Sequence, residues 1–342
     1  MNAKYMSSLG AVIVLFLLAY VGVEAAGLQV LFGIIIPYLA IIAFIVGIVY
    51  RVMYWARSTV PFRIPTTCGQ QKSLPWIKPS RIDNPTTAIG VVVRMIMEIV
   101  CFRSLFRNTR IGMKQGIKIA YEWEIWLWVA ALAFHYSFLV VIARHLRFFL
   151  EPVPACIQFL EYLDGFFRFE FFTGFFQVGL PGIFLSGLVL LAAVIFLLIR
   201  RVLGPRVKYI SLASDFFPLF LIIAIALSGI LMRYFMKVDI TAVKELAMGL
   251  VTFHPAIPKG IGVVFYVHLF FVSILLAYFP LSKLMHMGGI FLSPTRNLPA
   301  DTRARRHVNP WNYPVHVHTY EEYEDEFREK MIEAGIPVEK KE

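Results

Sequence analysis

The chemistry in this chain is concentrated in its histidines. Eight are present, and four of them (His135, His145, His268 and His286) fall in or at the end of strongly apolar segments. Ionisable side chains are costly inside a bilayer and are usually there for function. His135 and His145 are ten residues apart within WLWVAALAFHYSFLVVIARHLRFF, and His268 and His286 are eighteen apart within VVFYVHLFFVSILLAYFPLSKLMH. Imidazole suits iron, and two imidazoles on one iron leave no open coordination position, which favours electron transfer over oxygen chemistry. The other histidines are weaker candidates. His254 stands in a polar loop (Thr252, Phe253, His254, Pro255), where it is either a plain loop residue or a proton acceptor. His307, His316 and His318 lie in the tail, and a metal site at His316 and His318 lacks a third ligand nearby.

Elements able to position such residues follow from composition. Of 342 residues, 58% are hydrophobic and 16% charged, well below the charged share of about 25% in soluble domains. A spanning helix needs about 20 mostly apolar residues. Six stretches qualify, at roughly 9–26, 30–53, 123–147, 176–200, 214–236 and 261–286. The expected fold class is therefore an all-α integral membrane protein of six transmembrane helices. Lys4 and the apolar run ending near Val23, Glu24 and Ala25 also fit a cleavable signal peptide; a retained helix is the preferred reading, and cleavage would leave five spans.

The net charge of +11 does not point to nucleic acid, because of how it is distributed. Residues 56–122 carry eleven Lys or Arg against Asp83, Glu98 and Glu122, and the 200–210 connection adds Arg200, Arg201, Arg206 and Lys208. The 148–174 connection holds Arg168 against Glu151, Glu161, Asp164 and Glu170. Basic loops stay in the cytoplasm, so both termini are expected there, in a multi-pass protein of the cytoplasmic (inner) membrane. Residues 1–55 form two N-terminal spans, 56–120 a basic cytoplasmic loop, 121–290 a four-helix core, and 291–342 a cytoplasmic partner-docking tail. Within the loop, 84–118 resembles an amphipathic helix, its basic residues facing lipid phosphate or a cytoplasmic partner. In the tail, 319–334 suits a helix capped by Thr319 and stopped by Gly335 and Pro337.

Under the six-span topology the third and sixth spans run in opposite directions. His135 and His286 then share the inner side, and His145 and His268 the outer side. Each cross-helix pair can hold one haem iron, giving a dihaem bundle. The spacings are unequal, about 15 Å and about 27 Å along ideal helices, and require tilt or a bend at Pro280. Arg144 and Arg147 flank His145; they either pair with haem propionates or snorkel to the interface, and Arg144, with His254, is a candidate contributor to a quinol site. The three cysteines (Cys68, Cys101 and Cys156) form no CxxC or CxxCH, which excludes covalent haem attachment and an iron–sulfur cluster in this chain.

The 10-and-18 histidine spacing, over residues 120–290, resembles the gamma-subunit family of respiratory nitrate reductase, a two-haem cytochrome b. That resemblance implies quinol oxidation near a distal haem held by His145 and His268, and a proximal haem held by His135 and His286. The segment FRSLFRNTR and the tail HVNPWNYPVHVHTYEEYEDEFREKMIEAGIPVE are similar to DsrM-type cytochrome b subunits of Dsr membrane complexes in sulfur-metabolising microbes. This second resemblance implies menaquinone as lipid partner. It also implies a cytoplasmic iron–sulfur subunit similar to the heterodisulfide reductase catalytic subunit, and further subunits of the complex. A role in sulfite-reduction-linked metabolism follows from the same resemblance. Two other classes fit the residues alone: a histidine-lined transporter or proton channel, and a membrane anchor without redox chemistry.

Overall fold

The computed structural model describes residues 3–58, 80–114, 118–165, 170–173, 176–179, 183–301 and 317–340. Six helices in it are long and apolar enough to cross a membrane: Ala3–Glu24, Leu31–Ala56, Ile125–Phe148, Leu185–Leu203, Ala213–Met236 and Val263–Leu281. The helices in chain order are α1 (Ala3–Glu24), α2 (Ile36–Ala56), α3 (Ala88–Cys101), α4 (Arg103–Phe106), α5 (Ile125–His145), α6 (Ala155–Asp164) and α7 (Leu185–Leu203). After them come α8 (Pro205–Ile210), α9 (Ala213–Ile230), α10 (Ile240–Val251), α11 (Val263–Tyr278), α12 (His286–Gly289), α13 (Pro294–Asn297) and α14 (Tyr320–Glu333).

The spans alternate in direction, and side chains at their ends fix the register. Glu124, just before α5, is ion-paired with Arg200 at the end of α7, while Arg144 at the end of α5 reaches Ser186 at the start of α7. Lys4 and Ser8 of α1 donate to the carbonyls of Ser211 and Ala213, each at 2.8 Å, at the start of α9. Close packing runs from α5 to α7, α7 to α9 and α9 to α11, with α1 and α2 against α11. The buried centre of that second group is Phe32, Leu221, Tyr266, Val267, Phe270 and Phe271. Phe32 meets Phe270 edge-on at 5.1 Å.

Prolines shape the spans, each through its missing N–H and its clash with the preceding turn. Pro37 follows a π-turn over Leu31–Ile35, where the ladder opens. Pro218 lies inside α9 and leaves the Ser214 carbonyl without its helical donor; the Tyr278 hydroxyl donates to it at 3.1 Å. Pro280 closes α11 in a 3-10 turn over Phe279–Leu281.

Three expectations are corrected. The fourth span starts at Leu185, not 176, because Glu170–Thr173 (β3) and Phe176–Gly179 (β4) pair as an antiparallel hairpin. The sixth span stops at Leu281. Ser282 is extended (φ −107°, ψ 176°) and caps a separate turn over Lys283–Met285 through its side chain, so His286 begins a new short helix. Last, the 84–118 segment is not one helix. It holds α3, α4 and the first strand of a hairpin, Thr109–Lys114 (β1) with Lys118–Trp123 (β2). Nor do the central charges of α3 face outward: Arg94 and Glu98 are buried, while Arg103 of α4 and the following Arg107 engage the Asp83 carboxylate. Partial burial alone would raise the Asp83 pKa, but hydrogen bonds from Arg103, Arg107 and Ser80 outweigh it and hold that carboxyl well below the usual carboxylate range.

In the tail, α14 forms as the sequence predicts. Thr319 accepts from the Glu322 N–H at 3.2 Å and Glu322 accepts from the Thr319 N–H at 2.8 Å, a reciprocal cap. Gly335, at φ 69°, terminates the segment. His307 and His316 lie outside the described residues.

Candidate functional site

The four histidines come together as two pairs between α5 and the α11–α12 segment. At one end His135 and His286 have ring centroids 5.8 Å apart and rings nearly perpendicular, at 87°. At the other His145 and His268 are 6.4 Å apart and nearly parallel, at 14°. The break after Leu281 brings the first pair together despite the unequal sequence spacing. The turn holding His286 is pinned twice. Gly47 of α2 lies so close to Pro280 that a Cβ there would sit 2.7 Å from it. Lys283 is ion-paired at 2.6 Å with Asp215 of α9.

Each imidazole is anchored through Nδ1. The partners are the carbonyls of Ala131 for His135 (2.7 Å), Val141 for His145 (2.7 Å) and Lys283 for His286 (2.9 Å). His268 differs, since its Nδ1 lies 2.9 Å from the Ser228 hydroxyl oxygen. That hydroxyl already donates to the Ala224 carbonyl at 2.8 Å, so its oxygen is the acceptor. Nδ1 of each ring is thus occupied by a hydrogen-bond partner, which leaves Nε2 as the candidate ligand nitrogen. A histidine prepared for a metal has this arrangement, because the Nδ1 bond fixes tautomer and orientation. A metal–imidazole bond of about 2 Å, made on both sides of one ion, places ring centroids about 6 Å apart. Both observed separations fit. Moreover α5 and α11 are not a closely packed pair among the described residues, and none of the four histidines is fully buried. These residues could hold two planar, bis-histidine cofactors.

Surrounding residues separate the two ends. Around His135 the Phe102 and Phe134 rings stand edge-on at 4.9 and 5.0 Å. Beside His145, Arg144 is paired with Asp164 of α6 at 2.8 Å and lies 3.7 Å over the Phe184 ring, and Arg147 is paired with Glu161. Each guanidinium thus has an acid partner from this chain. The exposed His254 has its Nδ1 at 2.7 Å from the Thr252 carbonyl. It lies in the loop after α10, a helix that also contacts the Leu146–Phe148 turn beside His145. Ser228 was not among the residues singled out by the sequence. Its only signal there is a hydroxyl within an apolar span.

Comparisons with known proteins identify the family of the chain. The family model described as nitrate reductase gamma subunit matches residues 121–299, which include all four histidines. The chain is 48% identical over 290 residues to the Hdr-like menaquinol oxidoreductase cytochrome b-like subunit of Archaeoglobus fulgidus, covering 83% of this chain and 84% of that protein. It is 42% identical over 283 residues to the protein of the same description from Archaeoglobus profundus, covering 81% of each. With six apolar helices, two cross-helix histidine pairs and these matches together, the chain belongs to the nitrate reductase gamma subunit family of membrane cytochromes b.

Proposed function

We propose that this chain is a dihaem cytochrome b subunit that exchanges electrons between menaquinone and a cytoplasmic iron–sulfur subunit. The observation that carries the reading is the pair of cross-helix imidazole couples, each with Nδ1 anchored and centroids 5.8 and 6.4 Å apart. His135 and His286 would hold one haem b, and His145 and His268 the other. Haem bound there would supply one-electron transfer. The chain's own contribution is to fix ligand tautomers, hold the rings at separate depths and surround them with apolar side chains.

Menaquinone as the lipid partner is supported by the two Archaeoglobus relatives, which are menaquinol oxidoreductase subunits. Their Hdr-like description also supports a partner similar to the heterodisulfide reductase catalytic subunit. The link to sulfite reduction, and to further Dsr-type subunits, rests on the resemblance of the tail. The charge asymmetry of the loops supports a cytoplasmic location for the His135 end and for both termini, in the inner membrane. Electrons would then meet quinone at the His145 end. There His254 is our candidate proton acceptor. We assign Arg144 and Arg147 to holding α6 against the end of α5 through Asp164 and Glu161.

The test is spectroscopic. The full chain purified from a haem-replete host should show a reduced-minus-oxidised b-type spectrum with two haems per chain, reduced by a menaquinol analogue. A haem-free preparation with intact fold would contradict the reading.

A further inference from the structure

Helix α3 is oriented with its apolar face outward. Its two central charges are turned into the protein, with Arg94 4% and Glu98 6% exposed. Arg94 donates to the Asp83 carbonyl, and Glu98 accepts from the Ser104 N–H at 3.0 Å. The opposite stripe, at helical spacing, is Ile89, Val92, Ile96, Ile99 and Val100; Ile89, Val92 and Ile96 are 78%, 57% and 53% exposed. A helix facing water has the reverse pattern.

Depth distinguishes water from lipid. The last carbonyls of α3 are capped by a membrane-spanning helix: the Trp128 Nε1–H donates to Cys101 and the Tyr136 hydroxyl to Val100, both at 2.8 Å. Those two side chains leave α5 about 4 Å and about 16 Å along its axis from Ile125. The end of α3 therefore lies beside the hydrocarbon portion of α5. The stripe is continuous in character with the outward side chains of α5, where Trp126 and Leu139 are 72% and 60% exposed. It is also built of bulky Ile and Val, whereas contacts between membrane helices favour small residues.

We infer that α3 is a half-inserted helix whose Ile89, Val92, Ile96 and Ile99 face lies among phospholipid acyl chains, in the leaflet on the His135 side. Its carboxyl end is the deeper one. This placement explains why Arg94 and Glu98 turn inward, away from lipid. It also gives α3 a second role. Phe102, held at a left-handed φ of 49°, ends the helix and sets its ring edge against His135, so a lipid-anchored helix walls the His135 pair.

Site-directed spin labels at Ile89, Val92, Ile96 and Ile99, in the full chain within its complex and in phosphatidylglycerol–phosphatidylethanolamine vesicles, test this. Oxygen accessibility should exceed that of a nickel chelate at all four, and the excess should grow from 89 to 99. Nickel accessibility dominating would place the stripe in water and overturn the inference; exclusion of both reagents would show a protein covering it, and would do the same. Photolysis of an acyl-chain diazirine phospholipid with the unaltered protein guards against a misfolded variant. Peptide 88–101 should be labelled, and an unlabelled peptide overturns the inference. Neither readout involves haem.

Discussion

The Ser228 hydroxyl accepts a hydrogen bond from His268 Nδ1 at 2.9 Å, joining α9 to the one of the four paired histidines that is held by a side-chain hydroxyl. A donating Nδ1–H makes the opposite nitrogen a stronger ligand and favours the oxidised iron. Ser228→Ala should therefore raise the midpoint potential of one haem by about 20–60 mV, the equivalent of one neutral hydrogen bond in a one-electron couple. The other haem should not move. Potentiometric titration of both haems checks this; two unchanged potentials, or equal shifts in both, would count against the assignment.

Asp215 acts at the opposite end. Its carboxylate meets Lys283 at 2.6 Å and Arg201 at 3.6 Å, and the Lys283 carbonyl orients His286. Asp215→Asn keeps an acceptor for the Leu212 N–H but loses the charge. Because Lys283 is largely exposed, the loss should be about 1 kcal/mol or less. It should appear as earlier thermal release of the haem at the His135 end, followed by its absorption band, with the second haem released at the unchanged temperature.

Asp83 gives a pH dependence outside the spans. Its folded pKa is depressed, so its stabilising effect is fully present above the ordinary carboxylate value of about 3.9 and is lost as pH falls below that toward the lower folded value. Amide exchange in α3 should be flat from pH 8 to 5 after correction for intrinsic rates, and faster only in stronger acid. Asp83→Asn should give several-fold faster exchange across that neutral range. A transition near pH 6 in the unaltered protein would contradict this account.

The spans and the crosswise meeting of the histidines were legible because apolar runs and alternating direction constrain them one-dimensionally. The place of His286 was not. An eighteen-residue spacing fits a straight helix by phase, and only the extended Ser282 after Pro280 shows that the chain leaves it. Ser228 was hidden because its partner is forty residues away, and a serine inside a span most often bonds its own helix, as this one also does. The amphipathic pattern of α3 was visible, but a pattern alone does not say which face meets protein when the surrounding solvent is lipid. The two hairpins were hidden for different reasons: Thr109–Lys114 falls within the amphipathic segment read over 84–118, while Phe176–Gly179 joins directly to the apolar run of the fourth span.

The central claim is tested most directly by haem content in four single variants: His135→Ala, His145→Ala, His268→Ala and His286→Ala. The account predicts that His145→Ala and His268→Ala lose the same haem and keep the other, by low-temperature optical and EPR spectra, and that His135→Ala and His286→Ala show the complementary loss. Loss of different haems by His145→Ala and His268→Ala, or two intact haems in any of the four, would contradict it.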